Sequence, residues 1–346
     1  MIEDIKCNIL IMGKTGTGKS TLLNYLCGTN IAQTGTGKPV TGDDIYEYPA
    51  FINGRKVNIY DSWGLEAGKT EEWKNLLQKK LKEHGVQKDW SDWFHSVIYC
   101  IQAGGNRVED IDTEIIRQFL KDGYILTVVL TKADQVDEND EKKMRSAILE
   151  GVKDFIPIGK KINIIATCAE KKKTRMGETN PFGKEEVINS IFEGFKESII
   201  NKVPDHIIAN LHEEVDKWEK KEISKARSWC EDYSYDRLVD MVEKDVKDLN
   251  IDAKKDKMLE DVLKQIKGTH EALKDAFKAH SIPSLFRLLF SSFHFDVSIM
   301  DRLKMFFSKS VRRDTITKYI QEKSESLKRS CDYMKHDIKT QLLRSM

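Results

Sequence analysis

Proline is scarce in this chain of 346 residues: there are six, and beyond Pro204 only Pro283 follows. With so few helix breakers, long stretches are left free to be helical. The six cysteines, Cys7, Cys27, Cys100, Cys168, Cys230 and Cys331, are scattered and lack C-x-x-C spacing. That excludes a zinc ribbon or a dithiol redox motif and predicts buried, reduced thiols. Long apolar runs are missing too, so no segment can cross a bilayer as a helix, and the first strand-like run begins almost at once. A cytoplasmic location is the expectation. An excess of one charge is also absent, since 57 basic and 56 acidic side chains give a net charge of +1. Nothing in that balance supports a large nucleic-acid footprint. No internal repeat or low-complexity segment is evident.

What is present is hydrophobic content of 40%, enough for real cores in two domains. The most informative stretch is Gly13-Lys14-Thr15-Gly16-Thr17-Gly18-Lys19-Ser20, directly behind the apolar run Ile9-Leu10-Ile11-Met12. It fits G-x-x-x-x-G-K-[ST] in the order strand, loop, helix. A phosphate chain is multiply negative, and such a loop answers it with inward backbone N–H groups, one cation and a helix N-terminus. Gly13, Thr15, Gly16, Thr17 and Gly18 form the cradle, Lys19 reaches the terminal phosphates, Ser20 ligates Mg²⁺ and Thr21 continues the helix.

A phosphate loop does not choose the base. Thr131-Lys132-Ala133-Asp134 follows the apolar run Ile125 to Leu130 and resembles the [NT]-K-x-D motif that reads guanine. Asp134 can accept two hydrogen bonds from the guanine edge, whereas adenine leaves the carboxylate unpaired. Lys132 lays its stem along the base. Asp61-Ser62-Trp63-Gly64 matches D-x-x-G at the end of an alternating segment. Asp61 is expected to hold Mg²⁺ through water, and Gly64 to offer its N–H to a terminal phosphate. In Gly37-Lys38-Pro39-Val40-Thr41, Thr41 is the preferred Mg²⁺-linked switch threonine, with Thr34 and Thr36 as alternatives. Ala166-Thr167-Cys168-Ala169, after the apolar stretch Ile162 to Ile165, looks like a degenerate S-A-K loop at the base, with Cys168 and Ala169 as its candidate contacts.

These elements resemble the G motifs of P-loop GTPases of the translation-factor-related class. The loop from Gly13 to Asn24, the Gly37 to Thr41 segment and the stretch Tyr99 to Asp112 look most like the septin, AIG1 and immunity-related GTPase branch and its bacterial relatives. The resemblance covers roughly residues 5 to 200 and implies GTP/GDP and Mg²⁺ as ligands, slow hydrolysis of GTP, and pairing through the nucleotide face. It says almost nothing about residues 205 to 346. Gly16 stands where potassium-activated relatives carry asparagine, which argues against monovalent-cation activation.

Apolar runs near Asn8 to Met12, Ile45 to Tyr48, Val57 to Tyr60, Ser96 to Ile101, Ile125 to Leu130 and Ile162 to Ala166 alternate with helical patterns. An α/β fold follows, a doubly wound, mostly parallel sheet of six strands. The last helix of this domain is expected over Lys184 to Ile199, after an exposed loop spanning Lys171 to Gly183. The domains are expected at 1–203, binding GTP, and 204–346, an all-helical bundle with joints near Gly268 and Pro283.

Within the helical domain, Ile282 to Phe295 and Met305 to Phe307 concentrate aromatic and aliphatic side chains ahead of a basic stretch. Residues 282–307 are either core of the bundle or a peripheral membrane contact like that of a dynamin-like scaffold. His294 has no ligand spacing with other histidines or cysteines. For hydrolysis, Leu65 follows Gly64 where a water-orienting polar residue is often needed, and Glu66 is the nearest polar side chain. Catalytic help is therefore expected from a nucleotide-dependent homodimer or from a partner protein. Arg107 is the candidate to supply it in trans, with a local ion pair to Glu109 or Asp112 as the alternative.

Overall fold

The computed structural model describes residues 7–31, 45–62, 64–65, 70–85, 88–105, 107–157, 160–174, 177–267, 305 and 308–345. Thr34, Thr36, Thr41, Glu66, Gly268 and Pro283 lie outside the described residues. So does the 282–307 stretch apart from Met305, which is buried.

The apolar runs become β1 (Cys7–Gly13), β2 (Ile45–Ile52), β3 (Arg55–Ser62), β4 (Ser96–Gln102), β5 (Leu126–Thr131) and β6 (Asn163–Ala166). They form one sheet of order β2-β3-β1-β4-β5-β6, in which only the β2–β3 pair is antiparallel. Every residue of β1 is buried, as expected for a central parallel strand covered on both faces. Alternate residues of β1 serve two cores. Leu10 and Met12 join Tyr60, Tyr99, Val128 and Leu130 beneath α2 (Thr70–Glu83), α3 (Asp110–Lys121) and α4 (Glu138–Val152). Ile9 and Ile11 join Ile59, Ile98 and Val129 beneath α1 (Lys19–Cys27) and the start of α5 (Lys184–Trp229). This is the doubly wound sheet, and the loops at the carboxyl ends of β1, β3, β4, β5 and β6 gather along one edge.

Two expectations are corrected. The Lys171 to Gly183 segment contains a hairpin, β7 (Lys172–Thr174) against β8 (Gly177–Thr179), instead of loop throughout. Its base is closed by paired backbone bonds between Cys168 and Phe182, which hold the two legs together. Three residues per strand are too few for a hydrophobic period to register in sequence. The last helix does not stop near Ile199 but runs on through Pro204 to Trp229. Buried Ile199, Val203, Ile207, Leu211, Val215 and Trp218 keep the helical spacing across the proline, and that packing outweighs the lost hydrogen bond.

The chain divides into two compact units between Ile200 and Asn201. In the second, the described residues also form helices α6 (Tyr235–Leu249), α7 (Ile251–Lys267) and α8 (Lys309–Ser345). Its interior is apolar, with Leu238, Val242, Leu259, Leu263, Ile320, Leu327 and Ile338 buried. The ammonium of Lys323 is buried as well and meets the Glu243 carboxylate at 2.7 Å. Among the described residues no helix is long and apolar enough to cross a membrane.

Candidate functional site

The phosphate loop leaves β1 at Gly13, whose φ of +145° and whose proximity to the Cys100 carbonyl exclude a side chain: a Cβ there would stand 2.3 Å from that oxygen. The loop then folds on itself. The Lys14 carbonyl accepts from the Thr17 hydroxyl at 2.8 Å and from the Thr17 N–H at 3.3 Å. α1 begins after Gly18, which holds a positive φ at the cap position. Lys19, on the first turn, donates from Nζ to the carbonyls of Gly13 at 3.1 Å and Lys14 at 3.0 Å. Burial pulls its pKa down, while the nearby Asp61 carboxylate favours the charged form.

Asp61 is carried to the same place by β3, which pairs with β1 in parallel and matches Ile11 with Asp61. The carboxylate is fully buried. Its Oδ2 accepts from the Ser20 hydroxyl at 3.1 Å, and its Oδ1 meets no donor among the described residues. Burial pushes its pKa up to about 6, against the lowering effects of Lys19 and the Ser20 hydroxyl. A hydroxyl and a carboxylate oxygen left without a donor form an oxygen donor set suited to a hard divalent cation, so Ser20 and Asp61 fit Mg²⁺. Past Asp61 the strand continues as a parallel bridge between Lys14 and Leu65. Thr15 N–H donates to Leu65 O and Leu65 N–H donates to Gly13 O, both at 3.2 Å. Gly64 is wedged against Thr15, so the D-x-x-G turn lies directly on the phosphate loop.

The Thr131-Lys132-Ala133-Asp134 segment reaches the loop from β5. The Thr131 hydroxyl donates to the Thr17 carbonyl, and Lys132 Nζ donates to the Gly16 carbonyl at 2.9 Å and to Gln102 Oε1 at 3.2 Å. Two backbone bonds join this turn to the end of β6, from Thr167 N–H to Leu130 O and from Ala133 N–H to Thr167 O. The result is a pocket lined by Gly18, Thr21, Leu22, Thr131, Lys132, Asp134, Thr167, Cys168, Ala169 and Glu170. The structure thus brings together every described residue expected at the base. Thr167, within the same base loop, lines it too, as do Leu22 and Glu170, which the sequence reading does not single out. Glu170 directly follows Cys168-Ala169, so its position was the available signal.

Arg107 sits in the loop between β4 and α3 and is exposed. The two acids named above as its alternative partners, Glu109 and Asp112, hold a different cation. Lys14 Nζ meets Asp112 Oδ2 at 2.8 Å and Glu109 Oε2 at 3.0 Å.

Residues 8–132 match the family model described as 50S ribosome-binding GTPase. Among curated proteins, the chain is 32% identical to the tRNA modification GTPase MnmE of Ureaplasma parvum over 138 residues, which is 39% of this chain and 28% of that protein. It is 30% identical over 158 residues to GTPase Der of Acinetobacter baumannii, covering 45% of this chain and 32% of that protein. The match thus spans less than half the length of these relatives. Among solved structures, it is similar to Toc33 from Arabidopsis thaliana in complex with Mg²⁺ and GMPPNP, with a TM-score of 0.42, 17% identity, and coverage of 58% of this chain and 87% of that one. It is also similar to the septin GTPase domain from Chlamydomonas reinhardtii, with a TM-score of 0.40, 15% identity, and coverage of 56% and 92%.

Proposed function

We propose that this chain, a P-loop GTPase over its amino-terminal part, binds GTP with Mg²⁺, hydrolyses it slowly to GDP and phosphate, and couples nucleotide state to a helical domain at 204–346. One observation carries the reading. Thr131 and Lys132, far downstream in sequence, are hydrogen-bonded to the carbonyls of Thr17 and Gly16, so the base-reading turn and the phosphate cradle form one site. Asp134 lines that pocket and reads the two donors of guanine. Gly13, Thr15, Gly16, Thr17, Gly18 and Lys19 hold the phosphates, and Thr21, Cys168 and Ala169 frame the nucleoside. Mg²⁺, held by Ser20 and Asp61 with Thr41 as the switch ligand, would neutralise charge on the phosphates.

Slow turnover follows from Leu65. Its side chain is apolar and buried, and it occupies the position after Gly64, so it cannot orient an attacking water. Positive charge on the transferring group then has to come from elsewhere. Arg107 is exposed and, among the described residues, makes no ion pair, because Glu109 and Asp112 are bound to Lys14. That leaves its guanidinium available to a second copy of the chain across the nucleotide face. Two measurements test the reading. Displacement of fluorescent GDP by excess GTP but not by ATP is expected, with Asp134→Asn weakening GDP by about a hundredfold, the loss of two bonds to a charged group. GTP turnover per molecule should rise with protein concentration, and Arg107→Ala should flatten the rise. Equal displacement by ATP would sink the assignment of guanine, and a flat wild-type series would sink the trans arginine.

A further inference from the structure

Lys14 is the residue after the first glycine of the phosphate loop, a position at which the motif asks for no particular side chain. Its ammonium nevertheless sits in a built site. Asp112, with 3% of its side chain exposed, accepts from Lys14 through Oδ2 at 2.8 Å, and Glu109 approaches at 3.0 Å. The same Oδ2 takes the backbone N–H of Glu109 at 2.9 Å, closing the capping box of α3, and Oδ1 takes the buried Tyr99 hydroxyl at 2.9 Å. Asp112 thus accepts three hydrogen bonds at the helix start, where negative charge is favoured.

The backbone of Lys14 is as heavily engaged as its side chain. Its carbonyl receives Lys19 Nζ, the Thr17 N–H and the Thr17 hydroxyl. On its other flank it forms the parallel bridge with Leu65, beside Gly64. One residue therefore joins three parts: the phosphate cradle, the D-x-x-G turn and the first turn of α3, whose cap Glu109 lies shortly after Arg107.

We propose that Lys14 is a positioning residue that links the phosphate loop to the amino-terminal turn of α3, so that nucleotide in the cradle and the surface loop carrying Arg107 report on one another. The inference rests on the nucleotide-binding reading above. An ammonium held by two carboxylates, one of them the buried Asp112, is constrained in direction, and this contact is the route by which displacement of the loop backbone would reach α3. A neutral side chain at position 14 would leave the cradle's backbone bonds in place, remove the link and leave the buried Asp112 carboxylate without its cation.

The test is hydrogen exchange of the full chain, read at peptides covering 107–116, with and without saturating GMPPNP and Mg²⁺, beside the affinity for fluorescent GDP. In the wild type, nucleotide should slow exchange in the first turn of α3 about fivefold or more. In Lys14→Met the slowing should vanish while GDP affinity stays within about threefold, and Lys14→Arg should restore it. Asp112→Asn, which keeps the shape of the site, should behave as Lys14→Met does, so the test survives if one variant folds poorly. Slowing that persists in both neutral variants overturns the link. A wild type that binds GDP and shows no slowing also overturns it, whereas a wild type that binds no guanine nucleotide overturns the underlying functional reading.

Discussion

Gly64→Ala puts a single methyl group where the D-x-x-G turn meets the phosphate loop. A Cβ there would stand 2.4 Å from Thr15 Cα and 2.5 Å from Thr15 N, both of them backbone atoms that no rotamer change can move aside. Ordinary carbon contact needs about 3.5 Å, so the turn must retreat by roughly 1 Å. The two backbone bonds that hold it, from Thr15 N–H to Leu65 O and from Leu65 N–H to Gly13 O, are already 3.2 Å long and would not survive that displacement. At about 0.5–1.5 kcal/mol each, their loss weakens the closure by about 1–3 kcal/mol. Hydrogen exchange of the Thr15 and Leu65 amides in nucleotide-free protein reads this directly, as a gain in rate of about five- to a hundredfold. Because Gly64 is assigned to the terminal phosphate, a GTP analogue should lose affinity in this variant and GDP should not. If both amides stay as protected as in wild type, the contact between the turn and the loop is not what fixes Gly64, and the reasoning fails.

Other perturbations give separable outcomes. Burial raises the pKa of Asp61 from 3.8 to about 6, so between those values the folded chain binds more protons than the unfolded one. The sign is that stability of nucleotide-free, metal-free protein falls as pH rises through this window and levels off above it. The amplitude is at most about 3 kcal/mol, and Asp61→Asn should abolish that component when wild type and variant are unfolded in parallel from pH 4 to 7. In the helical unit, Lys323→Ala removes a cation whose side chain is 2% exposed and strips Glu243 of that partner. Stability should drop by about 3 kcal/mol in urea unfolding, and a loss below about 1 kcal/mol would refute the weight given to this pair.

Much of the amino-terminal fold was legible because each parallel strand is a short, almost wholly apolar run. Ile125 to Leu130 and Ser96 to Ile101 stand out by composition alone, and the polar residues that follow them fall at the edge where such sheets bind ligands. β2 was legible only in its first half, since Pro49 breaks the apolar pattern. The chain continues to Ile52 because Asn53 and Gly54, both at positive φ, make the tight turn into β3. The proposed base pocket was readable at Thr131, Lys132 and Asp134, whose types suit what guanine presents, and at the Ala166 to Ala169 loop, but not at Leu22. That residue lines the pocket through the packing of α1, which no local pattern encodes. The Lys14 link was hidden for the same reason: it joins β1 to α3 across the sheet, and the acids at 109 and 112 read in sequence as partners for Arg107.

Donor and acceptor accounting at the cradle explains why phosphate and cation should bind together. An ammonium has three N–H groups, and two of those on Lys19 are taken by Gly13 O and Lys14 O. A third remains for a phosphate oxygen. A carboxylate has two oxygens, and Oδ1 of Asp61 is left without a donor in a fully buried position. Phosphate alone would bring its negative charge toward that carboxylate and raise the cost of ionising it. A divalent cation alone would stand beside an ammonium with no anion between them. Together they cancel both penalties, because the cation's positive charge offsets the carboxylate and the phosphate's negative charge offsets the lysine. On the proposed reading, nucleotide and Mg²⁺ affinities should therefore be linked through Lys19 and Asp61, each ligand tightening the other by the same factor.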